Sequence, residues 1–318
     1  MLKNKKYPLK LFSIISLAFV VLTIIFVAIF GVNTSIEIGG GSQIEITLSY
    51  KDGDNYISGK ENTIDYVDSV KEVLDEYGCN IDSYLVEDKL VDTYLVVRIA
   101  DNKIEGASEI PAKIAEKLGI DQSRVSSVQE LSSYFSENQM LYIGLAVVAV
   151  IAICFFAGWL RYTIVGGITL AFAALHNLIL SLAINFLYRV QFSVVSLVGV
   201  LVFTMLSVLT FALILERARE NSKSKQYASL SSDEQLICAT KQNKNLLWVA
   251  VALFALTIVM VCLPIRYIQL AGVSLQLCLL VAAFTSLFVA PALHSYLFDI
   301  RSAKAKQKLS KNVTTQKK

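Results

Sequence analysis

Six stretches of this chain are apolar over about 20 helical residues each, the length that crosses a bilayer; they lie near 11–31, 140–160, 163–187, 192–215, 246–264 and 268–298. Between the first two the pattern changes. "QIEITLSY" (43–50) alternates apolar with polar positions and predicts a half-buried strand. "NTIDYVDSVKEVLDEYG" (62–78) places Ile64, Val67, Val70, Val73, Leu74 and Tyr77 at helical spacing, with Asn62 as cap and Gly78 as stop. "IDSYLVE" (81–87) and "TYLVVRI" (93–99) predict two more strands across a short charged turn. A second helix fits 107–118 and ends at Gly119, and "SRVSSVQ" (123–129) closes the sheet. The order β-α-β-β-α-β is the ferredoxin-like pattern, a two-layer sandwich. The expected fold is an α-helical polytopic membrane protein of six spans carrying one α+β ferredoxin-like external domain. Its parts are a tail and first helix (1–31), the extracytoplasmic βαββαβ domain (32–139), a five-helix bundle (140–300) and a basic tail (301–318).

Composition agrees with a chain dissolved largely in lipid, since 55% of residues are hydrophobic and only 17% charged. The first apolar run follows Lys3, Lys5, Lys6 and Lys10 and is about twice a typical signal-peptide core, with no clear small-x-small site after it; an uncleaved anchor is expected. With both termini placed in the cytoplasm, 18 basic residues fall on that side and only Arg189 and Arg266 in the opposite short loops. The positive-inside bias supports that orientation. Residues 32–139 hold 21 acidic and 9 basic side chains, so the external part is strongly negative. Nucleic acid is disfavoured as a partner, because the basic residues form short juxtamembrane clusters suited to membrane lipid headgroups.

Little in the chain suggests chemistry. The five cysteines show no metal-ligand spacing, and Cys79 is alone in the external domain. No Ser-His-Asp set or HExxH occurs, and there are two histidines in all, so neither an enzyme, a metal nor a cofactor is expected. In "SIEIGGGSQIE" (35–45) a strand follows the glycines where a phosphate loop needs a helix, so Gly39, Gly40 and Gly41 are read as a tight bend into the sheet.

Five segments, in order and at matching spacing, resemble the SecF family, the smaller partner of SecD in the accessory complex of the bacterial protein-export channel. "SIEIGGGSQIEI" is similar to its G-I-D-F-x-G-G-T stretch, with Glu37 for the Asp. "RVSSVQ" resembles a segment that ends in Val-Gly-Pro, here Gln129-Glu130. "ALHNLILSLAI" (174–184) resembles A-x-x-H-D, keeping His176 and replacing Asp by Asn177. "LTFALILERAREN" (209–221) resembles N-D-T-V-V-V-F-D-R-I-R-E-N, with Thr210 in place of the intramembrane Asp, Glu216 for the second Asp, and Arg217, Arg219, Glu220 and Asn221 retained. "FTSLFVAPALHSYL" (284–297) is close to Y-S-S-I-F-V-A-x-P-L. The resemblance implies an RND-like half-bundle in the bacterial cytoplasmic membrane, completed by SecD, that uses the proton gradient to draw exported unfolded polypeptide from the SecYEG channel.

Such coupling needs an acid in the membrane interior. No Asp or Glu occurs from 140 to 215 or from 246 to 298, and neither Asn177 nor Thr210 titrates. His176 is then the one ionisable side chain deep in the central spans, expected as a neutral ring bonded to a backbone carbonyl or to Asn177. The candidate residues are Glu37 and Gly39 to Gly41 as a hinge at the domain's base, His176, Asn177 and Thr210 as the membrane polar site, and Glu216 to Asn221 at the inner face. Two other readings stay open: an RND-type half-transporter for small molecules or lipids, and a non-transporting scaffold that keeps the fold.

Overall fold

The computed structural model describes residues 8–315 apart from 33, 53–54, 58–62, 80, 90–91, 100–103, 105, 134–136, 191, 225–229 and 264–265. The apolar stretches form α1 (Leu9–Phe30), α5 (Glu137–Tyr162), α6 (Ile164–Leu187), α7 (Val194–Ser222), α9 (Lys244–Cys262), α10 (Arg266–Phe284) and α11 (Ala290–Thr315). Among the described residues, five helical segments are long and apolar enough to cross a membrane. The last of these joins α10 to α11 over Ala271–Lys304. The remaining expected span coincides with α9, whose described apolar run is the shorter Trp248–Cys262. In α1 only 6% of the apolar window is buried, so this helix presents hydrocarbon side chains on almost every side.

Between α10 and α11 the backbone passes through a π-helical segment, Thr285–Val289, with right-handed helical angles on either side. Pro291 stands two residues beyond it; it has no N–H to give the carbonyl four residues back, so the regular ladder must be broken there. The basic tail expected from 301 is a continuation of α11 to Thr315. At the junction of α5 and α6, a Cβ on Gly158 would lie 2.9 Å from the Gly166 oxygen, and one on Gly167 would lie 2.6 Å from the Phe155 oxygen. The two helices approach backbone to backbone there, as small residues allow. A helix that the hydropathy pattern does not show, α8 (Ser232–Gln242), begins in a capping box: Ser231 Oγ accepts the Glu234 N–H and Glu234 accepts the Ser231 N–H.

The chain divides into two units, this helical one and a smaller one of Asn33–Met140 with Gln191–Val194. In the smaller unit, β1 (Gly41–Thr47), β4 (Ile81–Lys89), β5 (Asp92–Ile99) and β6 (Gln129–Leu131) form an antiparallel sheet in the order β4-β5-β1-β6. That is the strand order of the expected ferredoxin-like fold. The helices α3 (Thr63–Glu76) and α4 (Ile110–Leu118) share its core: Val70, Val73 and Leu74 of α3 and Ile114 of α4 cluster with Ile44 and Ile46 of β1 and Leu95 and Val97 of β5. Gly78 and Gly119 end the two helices with positive φ, as their sequence positions predict.

Three details depart from the sequence reading. Ile64, expected on the buried face of α3, lies in its first turn and is 71% exposed; Asn62, its expected cap, lies outside the described residues. The closing strand is displaced from 123–129 to Gln129–Leu131 because Asp121 Oδ1 accepts the Ser123 N–H at 2.8 Å and winds Gln122–Arg124 into a 3-10 turn. That bond holds the Asp121 carboxyl below the usual carboxylate range. Within the expected stretch, Val125 bridges Ile46 and Gln129 pairs with Gln43 as the first residue of β6. The third departure is a hairpin of β2 (Tyr50–Asp52) and β3 (Asn55–Ile57) between β1 and α3.

The glycine run has two separate uses. Ile36–Gly39 form one helical turn, α2, and Gly40 closes it at φ 75°, a conformation that side chains resist. Gly41 opens β1, where an added Cβ would run into the Ile99 carbonyl oxygen of the neighbouring strand. Gly41→Ala is therefore expected to destabilise the sheet by about 1–3 kcal/mol, the cost of overpacking. Cys79 is a buried thiol in the same core, not in a disulfide, and reports that core directly. Its modification by a small maleimide should be about tenfold faster or more in the variant.

Candidate functional site

α6 is apolar in composition, yet it buries Thr169, Asn177, Ser181 and Asn185. In hydrocarbon such groups find no water, so each needs a partner on a neighbouring helix or on its own backbone. Thr169 bonds its own Val165 carbonyl at 2.9 Å and meets His294 Nδ1 of α11 at 3.2 Å.

His176 is bonded at both ring nitrogens. Nε2 lies 2.9 Å from Ser16 Oγ of α1, and Nδ1 lies 3.0 Å from Thr285 Oγ1 of the π segment. The Ser16 hydroxyl donates its hydrogen to the Phe12 carbonyl at 3.0 Å and so accepts from Nε2–H. Nδ1 is then the acceptor for the Thr285 hydroxyl. This network is complete for a neutral imidazole with its proton on Nε2. Adding a proton at Nδ1 would force the Thr285 hydroxyl to turn its hydrogen elsewhere. Phe172 stacks on the ring at 5.6 Å.

Asn177 faces a different neighbour. Its Nδ2 donates to Thr204 Oγ1 of α7 at 2.9 Å, with a long 3.5 Å contact to Ser181 Oγ. Thr204 in turn donates to the Val200 carbonyl at 2.7 Å, which fixes the orientation of the amide. Asn185 donates to the Ser181 carbonyl and lies 3.4 Å from Cys278 Sγ of α10. The result is a seam of neutral polar groups from α7 across α6 to α10. Asn177 Oδ1 and Asn185 Oδ1 are buried and have no hydrogen-bond partner among the described residues.

Thr210 lies apart from both, on the wall of a cavity bounded by α7, α8, α9 and α10. The three residues expected as one membrane polar site are thus divided among three surroundings. At the charged end of α7, Glu216 takes both arms of Arg161, at 2.7 and 3.1 Å, and Arg219 donates to the Arg161 carbonyl at 3.0 Å. Arg217 pairs with Glu220 one turn on at 2.8 Å, and Asn221 bonds Gln242 of α8 at 2.8 Å. This stretch ties the α5–α6 turn and α8 to α7. Among the described residues no group of three His, Cys, Asp or Glu could hold a metal ion.

No protein-family model matches the chain, and no curated protein matches it. Solved structures do. A SecDF crystal structure in the super-membrane-facing form superposes on 96% of the chain with a TM-score of 0.70 at 15% identity. SecDF from Thermus thermophilus, described as a translocon-associated membrane protein, superposes on 93% with a TM-score of 0.62, also at 15% identity. The fold is SecDF-like. The chain spans about two fifths of the SecDF chains it matches, 40% and 39% of their length.

Within that fold, Gly39, Gly40 and Gly41 run from α2 into β1 of the small unit, while the Glu37 side chain lies outside the described residues. In the same unit the Ser35 N–H donates to the Phe192 carbonyl at 3.1 Å, so the α6–α7 connection belongs to it. Phe192, Ser16, Thr204 and Arg161 escape a reading of motifs, and Thr285 falls within the motif-like segment 284–297 without standing out as a site residue. Thr285 alone carries a local signal, standing six residues before Pro291. Thr285→Val keeps the shape and removes the donor to Nδ1, and it is expected to cost roughly 1–3 kcal/mol. Thermal unfolding in detergent should show a lower midpoint for that variant and a near-normal one for Thr285→Ser.

Proposed function

We propose that this chain is the SecF-like half of a SecDF-type unit of the bacterial cytoplasmic membrane, with both termini cytoplasmic. It works with a SecD-like bundle and the SecYEG channel on exported, unfolded polypeptide and catalyses no reaction. The observation that carries this reading is the SecDF-like fold over 96% of the chain, against 40% of the SecDF chain. The order of motif-like segments along the sequence supports it independently. Six spans, with α9 as the fifth, agree with the distribution of basic residues.

In this reading the small unit moves on the outer face, with Glu37 and Gly39 to Gly41 at its base, and Glu216 to Asn221 contribute to the inner-face contact with the partner. The proton enters through an acid on the SecD-like half. His176 is a neutral, hydrogen-bonded tie between α6, α1 and the π segment, as its two hydroxyl partners suggest. A second reading, a non-transporting scaffold, is favoured by the absence of acids from 140–215 and 246–298. An RND-type half-transporter for small molecules or lipids would call for a larger external domain and an intramembrane acid.

Vesicles holding SecYEG, its ATP-driven motor and a SecD-like partner separate these. Adding this chain should raise gradient-stimulated export of a preprotein, and His176→Gln should retain most of that gain, within about twofold, because glutamine can still donate and accept. No gain from the wild-type chain would favour the scaffold. Collapse with His176→Gln would show that this half carries the proton itself.

A further inference from the structure

The cavity that Thr210 lines has a volume of about 320 Å³. Its walls are apolar, among them Leu206 of α7, Val249 of α9 and Leu279 and Ala283 of α10. It is open at the side, since Val249 is 48% exposed. The end at the α8–α9 junction is different. Lys241 lines it, exposed and without an acidic partner among the described residues. α9 begins immediately after, and Asn243 at its N-cap makes no capping bond; its side-chain amide donates instead to the Leu213 carbonyl. The N-cap side chain thus gives the first-turn N–H groups of α9 no acceptor, and a helix start of this kind favours an anion. Deeper in the wall, Ser207 is 1% exposed and its hydroxyl has no hydrogen-bond partner.

We propose that this crevice binds one anionic phospholipid, with an acyl chain between α7 and the α9–α10 pair and the phosphate at Lys241 and the start of α9. A greasy slot with a cation and the start of a helix at one end complements a molecule with an acidic head and an apolar tail. The volume suits a chain and excludes a protein helix, which at about 10–12 Å across and 1.5 Å rise per residue would fill it within one turn. It lies in the range of roughly 300–1,000 Å³ that ligand sites occupy. The inner leaflet as the lipid's source rests on the proposed orientation; the site does not.

Trp159 and Trp248 are the two tryptophans of the chain, and Trp248 stands on α9 beside Val249. With Trp159→Phe, the full-length chain in phosphatidylcholine nanodiscs reports lipid beside the crevice through quenching of Trp248, the exposed neighbour of the lining Val249, by lipids with brominated chains. Nanodiscs offer both leaflets and contain neither SecD nor SecYEG, so failure here and failure of the export reading are distinguishable. Brominated phosphatidylglycerol should reach half-quenching at a mole fraction roughly fivefold lower than brominated phosphatidylcholine, the preference expected for one cation at the surface. Lys241→Gln should bring the two curves together, and Ala283→Phe, which fills the slot, should do so with Lys241 intact. Equal quenching by the two lipids in the unsubstituted site, or a preference that survives Lys241→Gln, would overturn the proposal.

Discussion

Water is absent from the middle of a bilayer, and the arrangement of this protein follows from that exclusion more than from any single motif. Backbone groups in the spans close on themselves as helices, which leaves side-chain hydroxyls, amides and two imidazoles to find partners. They do so across helices: Ser16 and Thr285 at the two nitrogens of His176, Thr204 at Asn177, Cys278 at Asn185. Bonds of this kind contribute about 0.6–2 kcal/mol each in membranes. Their directionality matters as much, since each one sets which face of a helix meets which neighbour. The π segment before Pro291 belongs to the same logic. A proline breaks the regular ladder, and the hydroxyl of Thr285 in the altered turn meets the ring of His176.

Charge is kept to the ends. The acids of the described helices outside the small unit sit at the α7 terminus, on α8 and at Asp299, well inside α11, and at the α7 terminus Arg161 grips Glu216 with both arms. The pair is open to solvent, so screening leaves it little energetic weight; its value is geometric, holding a turn against a helix end. A bundle that stores no negative charge in its interior cannot by itself respond to a proton gradient through a carboxylate. That is why the proposed function gives the acid to a partner and leaves this half the tasks of packing and leverage.

Much of the fold was legible. Hydropathy runs marked the helices, and strict alternation together with the two helical repeats marked the order of the ferredoxin-like unit, down to Gly78 and Gly119 as helix ends. What escaped was non-local or too short to show a period. The His176 partners lie 160 and 109 positions away in sequence, and nothing in a one-dimensional pattern joins them. The displaced strand turned on one side chain, Asp121, competing for the backbone. Helix α8 did carry a signal, Ser231 followed three residues later by Glu234, but in a polar stretch without strong amphipathic contrast. The grouping of His176, Asn177 and Thr210 came from motif resemblance, and helix geometry sends adjacent residues such as 176 and 177 to different faces.

Most depends on which side of the membrane the small unit occupies, because the direction of the proposed export work and the leaflet of the proposed lipid both follow from it. Cys79 is too deeply buried to report on this, whereas Lys71, on the exposed face of α3, is well placed. In intact cells expressing a Cys79→Ala, Cys262→Ala, Lys71→Cys chain, which lacks the exposed thiol at the end of α9, a membrane-impermeant maleimide should label residue 71 without permeabilisation. Labelling that appears only after the membrane is opened would put the acidic unit in the cytoplasm and contradict the account.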